Sequence, residues 1–138
     1  MSAKDVFHNA VKNALQKEGW LITHDPMFIS SGGVEMYIDL GAEELIAAEK
    51  DGQKIAVEIK TFLGTSDIYE FHLALGQFLN YRLALEEKEP ERTLYLAVPL
   101  DTYDTFFSLQ FPQRAIQRHQ LQLIIYKPES EVIARWQN

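Results

Sequence analysis

The segment that leaves this chain the fewest folding options runs from 44 to 60, "ELIAAEKDGQKIAVEIK", where two apolar runs flank an Asp51-Gly52 pair. Gly accepts the positive φ of a type I′ turn, so Asp-Gly between apolar runs predicts a tight antiparallel hairpin and therefore a sheet. Residues i and i+2 of a strand share a face. In the second arm Glu58 and Lys60 thus project together beside Ala56, while Val57 and Ile59 face the other way. An acid and a base on a strand that otherwise reads as core need compensation: from each other, from a solvent-filled cleft or from a metal ion.

Periodicity places the other elements around this hairpin. Residues 3–18 carry Val6, Phe7, Ala10, Val11, Ala14 and Leu15 at helical spacing, with Ser2 as N-cap, Asp5 at N3 and Gly19 as the stop. Residues 20–24 ("WLITH") read as a strand, and 25–33 ("DPMFISSGG") as a loop. Residues 34–41 and 44–50 are extended, as one interrupted strand or two. The longest predicted helix covers 67–87, with Ile68, Phe71, Leu75, Phe78, Leu79 and Leu83 as its buried stripe and Asp67 and Glu70 as a capping pair. A strand at 92–99, one or two short helices over 101–119 broken near Pro112, and two strands at 121–126 and 131–136 complete the chain. The order is αβββαβ followed by further α and β elements, which predicts an α/β fold with a mixed central sheet flanked by helices.

The 138 residues suffice for a single domain spanning 1–138. No apolar run approaches the length of about 20 residues that spans a bilayer, and no signal-peptide pattern opens the sequence, so the expected location is cytoplasmic, with no membrane partner. The absence of cysteine excludes disulfides and thiolate metal sites. A net charge of −7 argues against a surface that grips nucleic acid all over. The exception is the run 105–128, which has no Asp or Glu but contains Arg114, Arg118 and Lys127. Arg114 and Arg118 stand one helical turn apart and are the candidates for phosphate contact.

Asp39 is the natural companion of Glu58. It ends an apolar extended segment just before Gly41, and the hairpin folds back the 18 residues that separate the two acids. Two converging carboxylates suit a hard cation, Mg²⁺ or Mn²⁺, bound through oxygen with several waters retained. A neighbouring Lys60 is then placed to orient an attacking water or to neutralise charge developing on a phosphate. A second acid-x-Lys triplet, Glu86-x-Lys88, reads as the solvated end of the long helix.

The constellation Asp39, Glu58-x-Lys60 resembles the PD-(D/E)xK motif of restriction-endonuclease-like nucleases, with the departure that Ile38 rather than proline precedes Asp39. The resemblance implies a restriction-endonuclease-like fold and a metal-dependent site acting on DNA. Gln77 and Tyr81, four apart on the next helix, resemble the helix motif of the RecB-like branch, in which the Gln supports the active site; Tyr81 by itself reads as part of a polar fringe. His8 stands on the first helix where related resolvases carry a Glu that completes the metal site, which makes it a further candidate ligand beside the plainer reading as a hydrogen-bonded helix histidine.

More narrowly, "AVKNALQKEGWLITHDP", "YIDLGAEELIAAEKDGQKIAVEIKTFLG", "ALGQFLNYR" and "RTLYLAVP" resemble the XisH family, over most of residues 10–99. That family is known from cyanobacteria as a controlling factor for excision of the fdxN DNA element in heterocyst differentiation, alongside XisI-type proteins and a separate recombinase. The resemblance implies a role in programmed DNA rearrangement with two readings open: a Mg²⁺-dependent DNA endonuclease, or a non-catalytic controlling factor that binds an XisI-type partner protein, DNA or both. A homodimer is compatible with either.

Overall fold

The structure is a computed structural model that describes residues 2–36 and 45–138. Helix α1 (Ala3–Lys17) opens on the expected capping box, in which the Ser2 hydroxyl accepts from the Asp5 N–H. It closes in a Schellman arrangement: Gly19, at φ +93, donates to the Gln16 carbonyl and Trp20 donates to that of Leu15. Glycine is required there because the chain turns through a left-handed conformation.

Six strands form one sheet in the order β1 (Leu21–His24), β4 (Leu45–Lys50), β5 (Gln53–Ile59), β6 (Arg92–Pro99), β7 (Leu123–Lys127) and β8 (Val132–Gln137). The β4–β5 hairpin matches the sequence reading: Lys50 pairs with Gln53, and Asp51 and Gly52 take φ values of +51 and +81 as a type I′ turn demands. β1 joins β4 antiparallel, β5, β6 and β7 run parallel, and β8 returns antiparallel to β7, so the sheet is mixed. Helix α2 (Asp67–Lys88) is the crossover from β5 to β6. Buried Arg92 fastens the start of β6, donating to the Ile55 carbonyl on β5 and pairing with Glu89 at the end of α2.

The alternation along β5 divides the interior in two. Val57 and Ile59 join Val11 and Leu15 of α1, Trp20 and Tyr126 in one apolar cluster. Ala56 joins Phe71, Ala74 and Phe78 of α2, Leu94 and Leu96 of β6, and Phe106 and Phe107 in the other. Glu58 pairs in register with Leu45 and Leu96, on the α2 side of the sheet.

Several elements depart from the sequence reading. The segment 25–33, whose Pro, Ser and Gly content predicts a loop, contains β2 (Ile29–Ser31), which pairs with β3 (Val34–Met36) through Gly32 and Gly33, both at positive φ. Only β3 of the expected 34–41 strand lies within the described residues. The buried stripe of α2 is rotated from the expected one: Phe71, Ala74, Phe78, Tyr81, Ala84 and Leu85 are buried, whereas Ile68 and Leu83 are exposed. Its cap is Ser66, whose hydroxyl accepts from the Tyr69 N–H, rather than an Asp67 and Glu70 pair. The helical break after β6 falls before Pro112. A short α3 (Leu100–Thr102) runs into a π turn (Tyr103–Phe107), and α4 (Gln110–His119) then starts two residues before the proline. In a first helical turn the missing N–H of proline has no intrahelical acceptor to satisfy, so the ring is accommodated.

Candidate functional site

Strand β5 ends at Ile59, and its ladder carries one residue further, the Lys60 N–H donating to the Ala97 carbonyl of β6. From the opposite face the Tyr126 hydroxyl donates to the Lys60 carbonyl at 2.9 Å. Backbone bonds on both sides therefore fix where the Lys60 side chain leaves the sheet. Two residues on, Phe62 takes φ +54, a conformation that a bulky residue adopts only under constraint. The constraint is aromatic: the Phe62 ring packs at 5.4 Å from Phe107 and 6.4 Å from Phe106. The sharp turn there sends the chain back towards α2.

Glu58 and Lys60 project from one face as the alternation requires, with Lys60 Nζ 3.9 Å from Glu58 Oε2. Only 1% of Glu58 and 6% of Lys60 is exposed. Across the gap, Gln77 of α2 accepts a hydrogen bond from Lys60 Nζ through Oε1. The ammonium is held between a carboxylate of the sheet and an amide of the helix. One turn further along α2, Tyr81 is buried in the apolar cluster, and its phenol is pushed up to about 12 by burial and, secondarily, by the negative charge of Glu58. Tyr81 is therefore not part of a polar fringe. It walls the Glu58 carboxylate, and at neutral pH it remains a phenol. Thr61, 2% exposed, is a further buried polar group beside the site that periodicity does not single out.

Glu58, Lys60 and Gln77 are thus brought together. Asp39 lies outside the described residues. His8 is held elsewhere: its Nε2 is 2.9 Å from Asp25 Oδ1, and Lys12 Nζ is 2.6 Å from Asp25 Oδ2. His8 stands on a helix that packs over the Val57 and Ile59 face. Arg114 and Arg118 are exposed on α4, which is tied to α2 through the Arg82 guanidinium donating to the His119 carbonyl at 2.7 Å.

Chemically, Glu58 is an oxygen donor suited to a hard cation, and the Lys60 ammonium is placed to hold a negative oxygen near it. Among the described residues no three His, Asp or Glu side chains converge as a metal site. Of the expected ligands, the described residues thus supply the Glu58 carboxylate, of the right chemical type, and not the whole set. Among them, too, no helix is long and apolar enough to cross a membrane.

Comparison with known proteins places the chain among relatives. The family model described as XisH protein matches residues 1–134. A crystal structure of an XisH family protein from Nostoc punctiforme PCC 73102 is 57% identical and superposes with a TM-score of 0.91, over 97% of this chain and 100% of that one. A crystal structure of a fdxN element excision controlling factor protein from Anabaena variabilis is also 57% identical, with a TM-score of 0.90 over 97% of this chain and 99% of that one. Among curated proteins none matches.

Proposed function

The chain belongs to the XisH family, and on that footing we propose that it serves in excision of a DNA element through a divalent-metal-dependent nuclease-type site built on Glu58 and Lys60. The observation that carries this reading is the triad of side chains at the end of β5: a buried carboxylate, an ammonium 3.9 Å from it, and a helix amide accepting from that ammonium. We read the fold as restriction-endonuclease-like. Its support is the order of α1, the antiparallel strands β1, β4 and β5, the α2 crossover and parallel β6.

In this account Glu58, with Asp39 as its partner, is the oxygen ligand set for Mg²⁺ or Mn²⁺. When bound, the cation supplies Lewis acidity and a more acidic water for attack on a phosphodiester. Lys60 holds the nucleophilic water or a non-bridging phosphate oxygen with its ammonium. Gln77 is a positioning residue, since it fixes the Lys60 rotamer. Tyr81 keeps bulk water from the Glu58 side of the site, so the charges inside act in a low dielectric. Arg114 and Arg118 on α4 are the phosphate contacts that locally offset the net acidic charge. The test is cleavage of duplex, branched and single-stranded DNA with Mg²⁺ or Mn²⁺, with Glu58→Ala as the inactive control.

A second reading has its own observation. Glu58 and Lys60 are almost wholly covered, and the chain is acidic. Both features suit a non-catalytic controlling factor that uses the fold as a platform for an XisI-type partner protein. An excision defect on deletion that Glu58→Ala fully rescues, with no cleavage by the wild type, favours that reading.

A further inference from the structure

The outward face of α2 is apolar, although the sheet does not use it. Of the eleven large apolar side chains exposed among the described residues, four lie on this helix: Ile68, Tyr69, Leu73 and Leu83, the last three at 61%, 44% and 59% exposure. Exposed Gly76 stands between them, and a Cβ there would meet nothing within 4 Å, so packing within the chain does not require a glycine. A glycine in a helix interior costs about 0.5–1 kcal/mol relative to alanine. What glycine does provide is a notch where another backbone can approach closely.

The face is also self-complementary about that notch. In an antiparallel pair of helices crossing at Gly76, Tyr69 meets Leu83, Leu73 meets Leu79, and His72 meets Asn80. Glu70 and Arg82 stand about 120° round the helix from Gly76, off this face, so from 67 to 85 no charged side chain lies on it. Both are held within the chain instead: Glu70 folds over Gly64, and Arg82 donates to the His119 and Gln120 carbonyls. A two-fold interface needs this mirrored pattern, in which each patch complements itself. A 22-residue helix is about 33 Å long.

We propose that this face is the interface of a homodimer in which α2 crosses α2 of a second copy, antiparallel, at Gly76. The proposal is independent of whether the site cuts DNA.

The chain has no cysteine, so a single introduced thiol reports geometry cleanly. Gly76→Cys is expected to form an intermolecular disulfide on mild oxidation, while Asp51→Cys at the β4–β5 hairpin tip is not. By sedimentation, the wild type is expected to be dimeric. Leu73→Glu and Leu83→Glu, at exposed positions, are expected to keep the circular dichroism spectrum and to weaken association at least tenfold. Gly76→Ala gives a paired readout: improved helix propensity raises monomer stability while the lost notch weakens the dimer. A monomeric wild type up to high micromolar concentration overturns the proposal. So does a dimer unaffected by both leucine substitutions, or one cross-linked equally through either cysteine.

Discussion

Gln77 on α2 accepts a hydrogen bond from Lys60 at the end of β5, so the crossover helix and the strand that precedes it share one buried ammonium. A buried donor that loses its acceptor bears its desolvation cost unrelieved. Gln77→Ala is therefore expected to lower the unfolding free energy by about 1–3 kcal/mol, and Gln77→Glu, which keeps an acceptor there, by less. Urea titration of both variants checks the order.

The Glu58 and Lys60 pair gives a sharper stability test. Removing one member of a buried ion pair leaves the other charge uncompensated, whereas replacing both with apolar groups is often neutral or better. Lys60→Met alone is expected to cost about 3–5 kcal/mol, and Lys60→Met combined with Glu58→Leu clearly less. A double-mutant cycle by chemical denaturation measures the coupling. Additive losses would contradict the close interaction.

Tyr81 predicts a pH effect. Its phenol is raised from the usual 10 to about 12 in the folded protein, by burial first and Glu58 second. The folded state therefore holds that proton more tightly than the unfolded state. Its contribution to stability is full below about pH 10 and declines as pH rises from there towards about 12. Tyr81→Phe is expected to remove that part of the alkaline slope, and Glu58→Gln to bring the phenol partway back down. Ultraviolet titration of phenolate absorbance follows both.

Much of this was legible in the sequence because it rests on local periods. The Asp51-Gly52 turn, the alternation at Val57, Glu58, Ile59 and Lys60, and the Ser2 and Gly19 helix ends are fixed by neighbours, and the structure has each of them. The α2 stripe was less legible because that helix is apolar on nearly every side. Ile68 and Leu83 look as buriable as Ala74 and Ala84, and only packing against β6 and the β2–β3 hairpin chooses the face. The same ambiguity hid Tyr81, whose burial beside Glu58 is tertiary information. Strand β2 was masked by Ser30, Ser31 and two glycines, which read as loop but build a short hairpin. Of the expected 34–41 strand, which includes Asp39, only Val34–Met36 lies within the described residues.

If α4 carries the phosphate contacts, its arginines act electrostatically. Replacing Arg114 and Arg118 with alanine is expected to weaken DNA binding about equally across sequences. It should also reduce the salt dependence, log K against log salt, by about 2 in slope. Fluorescence anisotropy at several salt concentrations gives the slope, and an unchanged value removes α4 from the DNA-binding surface.

The central claim is that the Glu58 and Lys60 site cuts DNA with a divalent cation. The most direct measurement is a cleavage assay on purified wild-type protein and Glu58→Ala, with Mg²⁺, Mn²⁺ or EDTA, on duplex, branched and single-stranded DNA. The account predicts cation-dependent cleavage by the wild type that disappears with EDTA and in a folded Glu58→Ala variant. No cleavage of any substrate with either cation, or cleavage that Glu58→Ala leaves intact, would contradict it.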